Sequence, residues 1–340
     1  MKTRLFTIFL FIFSFSLLFA SGSKDVSNSR DNEVVIYAYD SFCSEWGPGP
    51  AIVKTFEEKT GYKVTMISAG DAAQVLSKAS LEKANPKADV LIGIDNNLLD
   101  KAKSQNNLES YKPKNADTLI DSNLVLDSEW FLSPFDWSSF AMIFDSYANI
   151  PSPTSLADLT KDIYKKKIIL MDPRTSTPGL GFVAWTLAQY GLDGIKDYWT
   201  ALKPNILTMA PGWDTGYGLF TTGEAPLVIS YTTSPAYHIY DGEDYRFVAL
   251  EFAEGHPMQI EGAGLVKNAK NQEGGKAFLD FFISLEAQNL IPETQWMYPI
   301  NNTVELPECY EVSPIPAKTL TVDQAELEKA VEIVIGVLAG

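Results

Sequence analysis

Three stretches of the first hundred residues decide the fold: EVVIYAY (Glu33–Tyr39), YKVTMIS (Tyr62–Ser68) and ADVLIGID (Ala88–Asp95). The first and third are runs of β-branched and apolar residues, and the second alternates apolar with polar residues, as strands do. Between the first two, the turn-rich SEWGPGP leads into a helical stretch over Ala51–Thr60, which Gly61 can end in a left-handed conformation. Ala72–Lys83 reads as a second helix. Strand, helix, strand, helix, strand predicts an α/β lobe with a mainly parallel sheet. Ligands of such sheets collect beyond the carboxyl ends of the strands, which makes Tyr39, Asp40, Asp95 and Asn96 the first candidate site residues.

Further along, Ile168–Met171, Leu227–Tyr231 and Phe247–Phe252 read as strands, and Phe182–Tyr190 and Gly274–Ile283 as helices, which predicts a second α/β lobe. Near the C-terminus Thr321 and Gln324 have capping-box spacing, ahead of a helix whose apolar stripe runs through Leu327, Val331, Val334 and Leu338. No internal repeat or low-complexity tract interrupts the chain after residue 32, so the lobes are expected to be joined by crossings within the sheets.

At the other end, Lys2 and Arg4 precede an uncharged apolar run of 16 residues, Leu5–Ala20, followed by Ser21 and Gly22. This is the pattern of a signal peptide over residues 1–22, and the run is shorter than the roughly 20 residues of a membrane helix. The remaining body is expected to be soluble, monomeric and extracytoplasmic, with room for two domains. The formal net charge of −16 becomes −18 without Lys2 and Arg4, which argues against a nucleic-acid partner and suits a cationic ligand. Cys43 and Cys309 are the only cysteines and leave a single disulfide open as a question; with His238 and His256 as the only histidines, a zinc or imidazole site has few ligands to draw on.

No G-x-S-x-G elbow, phosphate loop, H-E-x-x-H or post-strand G-x-G-x-x-G is present, so an enzyme is the weaker expectation. Aromatic residues set in polar, glycine-rich or proline-rich sequence stand out instead: Tyr39, Trp46, Trp213, Tyr231, Tyr237 and Trp296. Aromatic faces stabilise a flat cation by about 0.5 to 2 kcal/mol per contact. For Tyr231, inside a strand, core packing is the competing reading; Trp46 and Trp213 sit in turn-like sequence that favours ligand contact. The run DPRTSTPGLG, Asp172–Gly181, puts hydroxyls and flexible backbone just before a helix, as an oxyanion site needs, although Ser176 or Thr177 capping that helix explains the same residues. Asp71 and Asp95 are the acids expected near a ligand, with a solvated loop acid as the alternative for Asp71.

Taken together, YDSFCSEWGPGP, ADVLIGIDNNLLD, DPRTSTPGLG, GWDTGYGLF, LVISYTTSPAYHI, EFAEGH and QWMYP, which run in order from residue 39 to residue 299, resemble the thiamine-binding periplasmic proteins. These belong to the type 2 periplasmic solute-binding proteins, a class that includes the ferric-ion binders. The resemblance implies an α/β fold of two interleaved lobes, residues 33–135 with 251–300 and residues 136–250 with 301–340. It implies thiamine, or its mono- or diphosphate, held in the cleft between them as transported cargo, with no cofactor, metal or catalytic residue. The ligand would lie among Tyr39, Trp46, Trp213, Tyr231, Tyr237 and Trp296, with Asp71 on its pyrimidine side and Ser176, Thr177 and Gly179 where a phosphate would be held. The implied partner is the permease of an ABC importer. Two rival readings remain open. A ferric-ion carrier would want adjacent tyrosines, whereas Thr232 follows Tyr231; an exported hydrolase would use Cys43 or a water held by carboxylates.

Overall fold

The computed structural model describes residues 32–340; the signal peptide assigned to residues 1–22 lies outside the described residues. Strands β1 (Glu33–Ala38), β2 (Lys63–Ser68) and β3 (Val90–Asp95) alternate with helices Pro48–Thr60 and Ala72–Leu81, and β1 pairs in parallel with both other strands. The first helix starts three residues before the expected Ala51. Pro48 and Pro50 sit in its first turn, where a missing N–H leaves no hydrogen bond unmade, and Gly61 ends it at φ +79° as its sequence position suggests.

After a short β4 (Leu108–Glu109), the chain forms the 13-residue β5 (Ser133–Asp145), then β6 (Ile168–Met171), β7 (Ile206–Ala210), β8 (Leu227–Tyr231), β9 (Phe247–Ala249), β10 (His256–Val266) and the two-residue β11 (Tyr298–Pro299) and β12 (Thr319–Leu320). The sheet order is β2-β1-β3-β10-β5-β8-β6-β7. A parallel set stands at each end, β2-β1-β3 and β8-β6-β7, and antiparallel β10 and β5 join them. β5 changes partners along its length: Ser133–Ser139 lies against β10, and Phe140–Phe144 against β8. Neither β5 nor β10 stands out in the sequence, because both are buried along nearly their whole length and show no sustained alternation.

Each parallel set has its own aromatic packing. Phe135 stacks on Phe282 at 4.6 Å and Phe42 meets both edge-on, while Phe182 packs edge-on against Trp185 and Trp199 on the far side. The helix expected over Phe182–Tyr190 is part of a longer one, Thr177–Leu202, which passes through a kink at Gly191 (φ +63°). The C-terminal helix Gln324–Ala339 packs along it through buried Leu327 and Val334, with Val331 and Leu338 at the edge. Its N-cap is Asp323, which accepts from the Glu326 amide at 3.1 Å, and not Thr321; Gln324 instead donates to the Asn96 carbonyl at the end of β3. Among the described residues no helix is long and apolar enough to cross a membrane.

Candidate ligand-binding cleft

Between the two parallel sets opens a cavity of about 520 Å³, within the roughly 300–1,000 Å³ of small-molecule sites. All six aromatic residues singled out in the sequence line it, together with Asp71 and Thr177. They arrive from distant elements. Tyr39 follows β1, Trp46 precedes the Pro48 helix, Trp213 begins helix Trp213–Thr221, Tyr231 ends β8, Tyr237 lies on helix Ser234–Gly242, and Trp296 lies just before β11.

The aromatic side chains are held in specific poses. Trp213 stacks on Tyr217 at 4.8 Å and donates its indole N–H to Ser230 Oγ at 2.8 Å; Tyr217 in turn is bonded to His238 Nε2 at 3.0 Å. Trp46, more than half exposed, faces Trp213 with ring centres 6.3 Å apart, and Tyr237 meets Trp296 edge-on at 5.5 Å. Tyr231 lines the cavity and also packs on Phe140, with ring centres 5.4 Å apart. The Tyr39 ring lies where a side chain on residue 93 would stand: a Cβ there would come within 2.2 Å of it, and Gly93 (φ +99°) gives the space.

Acids form the floor and one edge. Asp71 caps helix Ala72–Leu81: Oδ1 accepts from the Ala72 amide at 2.7 Å while Gln74 reaches back to the Asp71 amide at 2.8 Å. Its Oδ2 is buried with no hydrogen-bond partner. Burial raises the Asp71 pKa, offset in part by the bond from the Ala72 amide and by the Ser176 hydroxyl and Trp213 amide, which lie near it without making a hydrogen bond. Asp95 closes β3 but does not line the cavity; it lies behind it, fully buried, and burial pushes its carboxyl up to about 7. Asp214, on the cavity wall, is pushed up to about 6 by burial and by the charges of Asp40 and Asp71.

The Ser176–Gly179 stretch starts the long helix. Ser176 is its N-cap residue, yet its hydroxyl makes no capping bond, and both Ser176 Oγ and Thr177 Oγ1 are buried without partners. Thr177 reaches the cavity surface; Ser176 and Gly179 do not. Gly179 acts through the backbone: a Cβ there would lie 2.4 Å from the Met171 carbonyl oxygen, so glycine lets the helix start press against the end of β6.

Glu261 of β10, Gln295, Tyr217 and Asp214 also line the cavity and were not foreseen. The available signal for Glu261 was an acid inside the apolar run IEGAGLV. Glu261 Oε2 accepts from Tyr39 Oη at 2.8 Å, and Gln295 Nε2 donates to the same phenol oxygen. The cysteines are unpaired; burial and then Asp40 push the Cys43 thiol up to about 11, so it holds its proton at neutral pH. Among the described residues no three His, Cys, Asp or Glu side chains are arranged to hold a metal ion.

A two-set sheet joined by two crossing strands, with an aromatic cleft at the junction, defines a type 2 periplasmic solute-binding protein. The family model described as bacterial extracellular solute-binding protein matches residues 85–329. The thiamine-binding periplasmic protein of Escherichia coli K12 is 39% identical over 86% of this chain and 88% of its own length. That of Brucella abortus is 37% identical over 94% and 95%. A solved periplasmic thiamin binding protein superposes with a TM-score of 0.83 at 36% identity, over 90% of this chain and 96% of its own. The chain belongs to the family of thiamine-binding periplasmic proteins. The ferric ion-binding protein A of Pasteurella haemolytica shares the fold at TM-score 0.75, with 19% identity.

Proposed function

We propose that this protein is the extracytoplasmic solute-binding component of an ABC importer and that its ligand is thiamine or a thiamine phosphate. The observation that carries this is the cavity itself, in which seven aromatic side chains surround acidic groups that no basic side chain among the described residues pairs. Thiamine offers a cationic thiazolium for the ring faces and an aminopyrimidine whose N–H groups can reach a carboxylate. Asp71 Oδ2 is suited to that second task, being buried and making no hydrogen bond, with the Ser176 hydroxyl and Trp213 amide near it. The unpartnered hydroxyls of Ser176 and Thr177, at a helix N-terminus, are suited to a phosphate on the hydroxyethyl arm.

On this reading residues 33–135 with 251–300 form one lobe and residues 136–250 with 301–340 the other. Ligand enters between open lobes, the lobes close by hinge motion about β5 and β10, and the closed monomer docks on a membrane permease. Nothing is transformed, no cofactor or metal takes part, and no catalytic residue is required; a protonated Cys43 away from the cavity favours this over a hydrolase.

Calorimetric titration of the ligand-stripped protein with thiamine, its monophosphate and its diphosphate tests the reading, with ferric citrate as control. Saturable one-to-one binding of a thiamine form, weakened in Tyr237→Ala, is expected. No heat with all three, or tight binding of ferric ion alone, refutes it.

A further inference from the structure

In the floor of the cleft β3, β10 and β5 lie side by side, and their register sets three acids in one row. Glu261 of β10 is paired with Asp95 of β3 on one flank and with Asp136 of β5 on the other. Residues directly opposite on antiparallel strands share a face of the sheet. All three are buried, Asp95 and Asp136 completely, and among the described residues none forms an ion pair. Like charges directly opposite destabilise a sheet, and an unpaired buried charge costs far more.

The groups that face the row do not neutralise it. Tyr39, following β1, donates its hydroxyl to Glu261 Oε2 at 2.8 Å, and Gln259 Nε2 donates to Oε1 at 2.5 Å. Asn97 Nδ2 donates to Asp95 Oδ2 at 3.2 Å, and the Gln295 amide acts on Asp136. Asp71 and Tyr231 bring only a further acid and a phenol.

Hydrogen-bond accounting asks for protons here. The Gln295 amide lies near Asp136 but is bonded to Tyr39 Oη; among the described residues, Asp95 Oδ1, both carboxyl oxygens of Asp136 and Gln259 Oε1 are buried with no hydrogen-bond partner. Every one of them accepts. A carboxylate supplies no donor, whereas a carboxylic acid supplies one. Protonating Asp95 and Asp136 thus provides the missing donors, while Glu261, whose two oxygens already accept from Tyr39 and Gln259, is held to its proton by the acids on either side of it. Burial acts in the same direction, raising Asp95 to about 7, Glu261 to about 8 and Asp136 well above its ordinary value. Of the three, only Glu261 touches the cavity.

We propose that Glu261 is the charge-selecting residue of the cleft: the Asp95–Glu261–Asp136 row is neutral while the cleft is empty, and Glu261 gives its proton to solvent as an organic cation settles beside it. The carboxyl O–H bond breaks, water or buffer takes the proton, and the carboxylate left behind pairs with the cation. Binding then exchanges one positive charge for another. A neutral ring of the same shape gains nothing from the exchange and is discriminated against. The inference rests on the thiamine reading, since it needs a ligand with a fixed positive charge.

The test is calorimetry of the whole protein with unphosphorylated thiamine at pH 7.5 in HEPES and in Tris, whose ionisation heats differ, followed by affinities from pH 6.5 to 8.5. Expected are a buffer-dependent heat that reports release of a substantial fraction of one proton, and an affinity that rises by up to about tenfold per pH unit. In Glu261→Gln both effects vanish and affinity falls by about tenfold or more. The wild-type proton count stands even where that variant fails to fold. Saturable thiamine binding with the same heat in both buffers overturns this inference and leaves the thiamine reading intact. Absence of thiamine binding at every pH overturns both.

Discussion

Trp296 holds φ +58°, a backbone conformation that bulky L-residues rarely adopt, and it does so on the wall of the cleft, edge-on to Tyr237 and 5.2 Å from Tyr240. Strain of this kind persists where the surroundings over-determine it, and ligand clamps are one such place. Trp296→Ala is expected to weaken thiamine binding by about tenfold, the equivalent of one good cation–π contact, whereas Trp296→Gly, which alone removes the Cβ, also relieves the backbone strain. Unchanged affinity in titration calorimetry would remove Trp296 from the site. Ser176 and Thr177 allow a sharper discrimination, because their hydroxyls make no hydrogen bond in the protein and gain one only when a phosphate is present. The double variant Ser176→Ala, Thr177→Val is expected to leave thiamine affinity nearly intact and to weaken the phosphate esters by about 10- to 100-fold, as loss of hydrogen bonds to a charged group does. Equal losses for all three ligands would contradict that assignment. That Trp296 and Thr177 would lie at the cavity was legible, the first from an aromatic in polar sequence and the second from hydroxyls just ahead of a helix, whereas Ser176 does not reach the cavity surface. Glu261 and Asp136 were not legible: an acid within an apolar run marks Glu261 as unusual without saying what it faces, and only the register of three strands brings Asp95, Glu261 and Asp136 into line.

At the scale of elements, the first α/β unit could be read almost residue by residue, because β1, β2 and their intervening helix carry periodicity, proline and glycine signals that agree with one another. β5 and β10 escaped because strands buried along their length lose the alternation that identifies a half-exposed strand. The C-terminal cap was misplaced for a different reason: Thr321 and Asp323 both had usable side chains, and tertiary contact decided, with Gln324 drawn to the Asn96 carbonyl. Asp323→Ala is accordingly expected to cost about 1 kcal/mol in urea denaturation, the usual value of an N-cap, without changing ligand affinity. Thr321→Ala is expected to cost less. Gly179 couples an element to the site. A methyl group there meets the Met171 carbonyl at 2.4 Å, so Gly179→Ala is expected to destabilise the fold by about 1–3 kcal/mol and, by displacing the helix start, to weaken phosphate-ester binding more than thiamine binding. A variant with wild-type stability and ligand preference would show that this close approach has no functional consequence.

For the whole molecule, the crossing strands carry two titrating features of opposite sign. His256, at the start of β10, accepts from the Phe252 amide through Nε2 at 2.7 Å, so Nδ1 bears the hydrogen and donates to the Phe140 carbonyl at 2.8 Å, tying β10 to β5 where that strand changes partners. Burial lowers the His256 pKa below the ordinary 6.5. The unfolded chain therefore takes up a proton first, and this contribution to stability is lost as pH falls through about 6.5. The acid row works the other way. Asp95 moves from 3.8 to about 7 and Glu261 from 4.5 to about 8, so the folded, empty protein holds protons that the unfolded chain has released. Their stabilisation is complete below the unfolded values and is lost as pH rises through 7 to 8. Above pH 6.5 the row acts without opposition from His256. The melting temperature of the empty protein is thus expected to fall between pH 6.5 and 8.5, and this fall to flatten in Glu261→Gln. Saturating thiamine should also flatten it, because a bound cation stabilises the ionised row and binding linkage grows with the affinity. Scanning calorimetry at four pH values, with and without ligand, provides the measurement. A melting temperature that rises over this interval in the empty protein would mean the row is already ionised, and the cleft would then have to tolerate three buried carboxylates with no cation beside them.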